Sequence, residues 1–153
     1  MKAAEAVRQV ADRHAFLAPL AAVFAVALVL LIAFDRKAPL TFLQGEVRPE
    51  MPVAGQTVSV RWHTIWNRRC QGTVSREIVG PDLIIRAYRR HWLRVPVRLG
   101  QQVSDTDFQL DKALPVGATI YRAVVRFEDC GLTSRLWPIE VVAPELWFDV
   151  RGG

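Results

Sequence analysis

Two rhythms of hydrophobic and polar positions divide the chain. From Ala15 to Phe34 the sequence reads AFLAPLAAVFAVALVLLIAF, without one charged or polar side chain. At the helical rise such a run spans about 30 Å, the thickness of a bilayer's hydrocarbon core. It is apolar on every side and offers no polar face to solvent. Pro19 falls near its start, where a missing N–H costs least. Asp12, Arg13 and His14 precede it, and Asp35, Arg36 and Lys37 follow. The pattern predicts a transmembrane helix over residues 15–35, behind a short arm of residues 1–14. A cleaved signal peptide is the rival. Its apolar core runs about 7–15 residues before a small-x-small site, whereas here Ala25-Val26-Ala27 lies inside the run. A retained signal anchor fits better. Lys2, Arg8 and Arg13 before the helix, against Arg36 and Lys37 after it, lean towards a cytoplasmic N-terminus. That orientation puts the rest of the chain outside the cytoplasm, periplasmic or extracellular.

Beyond Ala38-Pro39 the helical rhythm does not return. Short alternating runs follow, broken by Pro and Gly. In Thr57–Trp66, Val58, Val60 and Trp62 share one face while Ser59, Arg61 and His63 share the other. Further strands are expected at Leu43–Arg48, Thr73–Val79, Leu83–Tyr88, Trp92–Leu99, Asp107–Leu110, Thr119–Cys130, Ile139–Val142 and Leu146–Val150. Arg89-Arg90-His91 is expected as the turn between two of them. The prediction is an all-β sandwich of seven to nine strands over residues 45–150, joined to the helix by a linker of residues 36–44.

Composition narrows the function classes. Of 153 residues, 51% are hydrophobic and 23% charged, which excludes a disordered chain. Twenty basic against fifteen acidic residues give +5. All but Lys2, Lys37 and Lys112 of the basic residues are Arg, a bias that GC-rich coding also produces. The excess is shared between the two segments, so the β-rich part is only mildly basic. A dedicated nucleic-acid binder carries a stronger field. No hydrolase, zinc-protease or phosphate-loop motif occurs, and the serines stand singly. No enzyme, cofactor or metal is expected. Asp105, Asp107 and Asp111 fall short of a calcium loop and read as a polar loop before a short strand. A metal site from His63, Cys70, His91 and Cys130 has no recognised ligand spacing.

The stretch PVAGQTVSVRWHTIW resembles the approach to strand B of bacterial Ig-like and fibronectin-III-like domains, and FQLDKALPVGATIYRAVVRFEDC resembles their passage from strand E to strand F. The resemblance implies an Ig-like sandwich and a corner role for Tyr121. It departs from antibody domains in lacking a strand-B cysteine. Single-anchor Ig-like proteins of phages and GC-rich bacteria look similar, and no activity comes with that likeness. The resemblance also implies that Cys70, opening strand C, and Cys130, ending strand F, are neighbours. Either they form a disulfide, which needs an oxidising compartment, or they are two unrelated core residues.

From Arg86 to Arg98 the chain reads RAYRRHWLRVPVR. Arg68, Arg69, Arg89, Arg90, His91, Trp92 and Arg94 are candidates for an anionic contact with lipid headgroups, nucleic acid or an acidic partner. The alternative is a solvated hairpin face, with Leu93, Val95, Val97 and Leu99 on its inner side. The expected function is a non-catalytic membrane-anchored binding or scaffolding module, its partners the lipid bilayer through residues 15–35 and another envelope or virion protein. A phage-encoded envelope factor, acting in lysis or superinfection exclusion, and a membrane-tethered nucleic-acid binder are the alternatives.

Overall fold

The computed structural model describes residues 17, 19–32, 37–131 and 133–152. The expected arm of residues 1–14 lies outside them, as do 15, 16, 18 and 33–35 of the expected span. The chain divides into two units, Met1–Lys37 and Ala38–Gly153. In the first, residues 17 and 19–32 are helical. Among the described residues no helix is long and apolar enough to cross a membrane.

The second unit is an antiparallel β-sandwich of eight strands: β1 Leu40–Arg48, β2 Thr57–Trp66, β3 Gly72–Val79, β4 Ile85–Leu93, β5 Gly100–Gln109, β6 Gly117–Phe127, β7 Ile139–Val142 and β8 Leu146–Val150. One sheet has the order β1-β2-β5. The other has the order β4-β3-β6-β7, with β8 also on β6. β7 pairs with one half of β6 and β8 with the other, in the same sense. They form one edge interrupted at Ala143-Pro144-Glu145, where proline cannot donate to a ladder.

Alternation decides which side chains meet between the sheets. Val58, Val60, Trp62, Thr64 and Trp66 of β2 are buried, and so are Thr119, Tyr121, Ala123, Val125 and Phe127 of β6. Each is every second residue of a pleated strand. Trp62 stacks edge-on against Phe42 at 4.9 Å, and Phe108 lies against Tyr121 at 5.5 Å. Gly45 sits opposite Trp62 in register, and its missing Cβ makes room for the indole.

The structure corrects several strand expectations. β1 begins at Leu40, not Leu43, because Pro39 and Leu40 are already buried. Arg89-Arg90-His91 is not a turn but the middle of β4. Arg89 and Arg90 lie where the β3–β4 register shifts, between the pairs Val74–His91 and Arg76–Tyr88. An extra residue is absorbed there as a bulge. The second half of the imagined hairpin is a loop: in residues 94–99 Val95, Val97 and Leu99 are exposed and Pro96 is buried. Asp105 and Asp107 belong to β5, which starts at Gly100 rather than Asp107. Tyr121 is no corner residue. It sits within β6, 1% exposed, opposite Ile78 and Leu146.

Cys70 and Cys130 form a disulfide with Cα atoms 5.0 Å apart. Antiparallel pairing of β3 with β6 places Gly72 opposite Phe127 and brings the two flanking cysteines together. The link sits in a second hydrophobic cluster with Leu40, Trp66, Val74, Phe127 and Ile139.

Candidate functional site

The candidate anionic residues do not form one patch. Arg68 donates from Nη2 to the carbonyl of Cys130. Arg69 donates from Nη2 to the carbonyl of Val97 at 2.7 Å. Both knit loops together at the end of the sandwich where the chain arrives. There the backbone N–H of Asn67 donates to the Pro39 carbonyl at 2.8 Å. Arg89 and Arg90 are exposed at the β4 bulge. Trp92, 66% exposed, borders a shallow surface cleft with Gln71, Thr73, Arg126, Asp129 and Arg135. Arg94 lies in the exposed loop after β4. His91 turns inward.

That inward turn leads to a feature that sequence alternation did not reveal. On β3 the inward row is Val74, Arg76, Ile78, standing opposite the buried Val125, Ala123 and Tyr121. A permanent charge thus occupies an inward position. On β5 the inward row includes Ser104 opposite Trp62 and Thr106 opposite Val60. Together with His91, Thr64 and Tyr121, these side chains line a cavity of about 40 Å³ between the sheets. Apolar walls come from Phe42, Trp66, Leu93 and Val125 among others. β4 and β5 are edges of their sheets, so the cleft runs beneath two free edges.

Arg76 Nη2 donates to His91 Nδ1 at 3.3 Å, and the guanidinium carbon lies 5.7 Å from the centre of the Phe108 ring. Arginine has no acceptor capacity, so the imidazole nitrogen must accept. Arg76 Nε and Nη1 and the Tyr88 hydroxyl are buried without a close hydrogen-bond partner among the described residues; the Tyr121 hydroxyl stands in weaker contact with Arg76, and the Asp111 backbone with Tyr88. Burial, then the adjacent Arg76 charge, pushes the His91 pKa down. Burial pushes Tyr121 up to about 12, with Arg76 and the Trp62 indole opposing in smaller measure. Burial likewise raises Tyr88. These groups are neutral near pH 7, no carboxylate lines the cavity, and its charge is that of Arg76.

The acids are committed elsewhere. Asp105 receives Arg61 Nε at 2.7 Å, and the bonded guanidinium lowers its pKa. Asp82 receives Arg86 Nη2 at 2.7 Å, which lowers its pKa in the same way. Among the described residues no group of three or more His, Cys, Asp or Glu is placed to hold a metal ion. His63 is exposed on the outward face of β2, away from the inward His91.

No protein-family model matches the chain, and no curated protein matches it. Solved structures match part of the chain at low identity. The C-terminal domain of Wzt is 9% identical with a TM-score of 0.48, covering 76% of each chain. The alkylpurine DNA glycosylase AlkC of Pseudomonas fluorescens, bound to abasic-site DNA, is 13% identical with a TM-score of 0.45. This chain covers 31% of that enzyme's length. The β-glucosidase EmGH1 of Erythrobacter marinus is 9% identical with a TM-score of 0.44, and 15% of it is covered. At such scores these likenesses transfer neither activity nor partner.

Proposed function

We propose that the chain is a membrane-anchored, non-catalytic binding module: an apolar helix holds a fibronectin-III-like sandwich at the surface of a bilayer. One observation carries the reading. The helical residues 17 and 19–32 carry only apolar side chains, and all but Ile32 are exposed: Leu20 60%, Val23 68%, Phe24 71%. In water each such side chain forgoes about 1.5–3 kcal/mol of burial, so the segment needs an apolar surrounding. The sequence stays apolar to Phe34. Division of the strands into β1-β2-β5 and β4-β3-β6-β7 supports the fibronectin-III-like description.

The end of the sandwich where the chain arrives also suits a bilayer surface. Val97 is 85% exposed, Leu136 79% and Trp137 61%. Arg94 and Arg98 flank Val97 in sequence and make no ion pair among the described residues. Apolar tips with a tryptophan and free arginines match the boundary between headgroups and acyl chains. In this reading Arg94 and Arg98 replace Arg68 and Arg69 as the headgroup contacts.

Alkaline carbonate washing of membranes from cells making the full chain tests the anchor. Retention in the pellet is expected, and release into the supernatant overturns the reading.

A further inference from the structure

The inter-sheet cleft is chemically incomplete. A guanidinium stays protonated at any physiological pH. Leaving part of it buried without an acceptor is costly. Arg76 is half-buried and donates from Nη2 to His91, but its Nε and Nη1 are buried without a hydrogen-bond partner among the described residues. The fold does not supply the missing negative charge. Asp111 is engaged 3.4 Å from Arg86, and Glu77 stands opposite Arg122 on the outer face of β3. The groups facing Arg76 are instead neutral: His91 from β4, Tyr121 from β6, Ser104 and Thr106 from β5. Thr106 is half-buried and Ser104 exposed, and both hydroxyls lie at the rim of the cavity that Arg76 lines.

Volume limits what completes the site. The space between the sheets is small, about 40 Å³, and a carboxylate group, with three non-hydrogen atoms, is smaller than phosphate or sulfate with five. Arginine matches a carboxylate in both charge and planar geometry. Apolar walls at Phe42 and Leu93 favour an aliphatic continuation over a second charge.

We propose that the cleft between β4 and β5 binds a small aliphatic carboxylate, with Arg76 as its counter-ion and the Ser104 and Thr106 hydroxyls as further donors. The inference rests on the reading of the sandwich as a binding module and not on its anchorage. Carbonate retention therefore fails or succeeds separately from carboxylate binding.

Thermal unfolding of the full chain in detergent micelles, with acetate as the probe, tests it. Sodium chloride and sodium phosphate at matched ionic strength serve as controls. At about ten times its Kd, acetate raises Tm by about 5 °C. The rise saturates, and the controls produce none. Arg76→Met abolishes the acetate response without lowering Tm in acetate-free buffer, because an apolar side chain replaces an unpaired charge. Thr106→Val, which removes one hydroxyl at nearly constant volume, weakens the response several-fold and serves if Arg76→Met does not fold. Equal shifts with chloride or phosphate, no shift at all, or a full response in either variant overturns the proposal.

Discussion

At the scale of single residues, buried polar groups and close approaches set the measurable quantities. Tyr121 illustrates the first. Its folded pKa is about 12, against an ordinary value near 10. Between those values the folded state holds a proton that the unfolded state has lost, so stability falls as pH rises through this window. The loss approaches 2–3 kcal/mol, two units at about 1.4 kcal/mol each. Urea midpoints of the wild type should decline between pH 10 and 12, and Tyr121→Phe should flatten that part of the curve. Gly45 illustrates the second. An added Cβ would lie 2.3 Å from the Trp62 ring. Gly45→Ala must displace the indole from Phe42 and Tyr121, at a cost of about 1–3 kcal/mol. A lower urea midpoint with altered tryptophan emission is the expected result, and an unchanged midpoint would show that β1 yields freely.

At the scale of elements, pairing between β3 and β6 decides where the disulfide falls. Cys70 and Cys130 are separated by 60 residues, so their link closes a long loop of the unfolded chain. A loop of that length corresponds to roughly 4 kcal/mol in the chain-entropy treatment. Replacing both cysteines with alanine should lower stability by a few kcal/mol while leaving the strand signal in circular dichroism at 20 °C. Wild-type thiols should resist alkylation until reduced. Alternation made β2 and β6 legible, with buried rows at every second residue, and breaks at Gly80-Pro81-Asp82 and Ala143-Pro144-Glu145 bounded β3, β7 and β8. β4 was misread for a physical reason: the bulge at Arg89-Arg90 inserts a residue into the alternation. A break of that kind looks like a turn when no partner strand is in view. β5 was shortened because its inward row contains Gln102, Ser104 and Thr106, which carry no apolar signal.

At the scale of the whole molecule, the proposed anchorage makes one further prediction about the sandwich end where the chain arrives. In vesicles containing brominated lipids, Trp137 emission should be quenched and Trp147 emission should not. Trp137 precedes β7 at the end where Ala38 arrives. Trp147 pairs through β8 with Ile120, towards the opposite end. Comparing Trp137→Phe with Trp147→Phe separates the two signals. Quenching that survives Trp137→Phe but not Trp147→Phe would place the other end on the lipid. The sequence by itself determined the division into an apolar segment and a β-rich segment, since an unbroken apolar run and a period of two are properties of local order. It also nominated the two cysteines, through a likeness that supplied their strand neighbours. Only the tertiary structure decided that Arg68 and Arg69 are spent on the carbonyls of Cys130 and Val97. Only there does Arg76 prove to be a half-buried, inward-facing cation among neutral side chains. Each depends on which strands pair across residues distant in sequence, and a charge read along one strand carries no sign of what lies on the facing sheet.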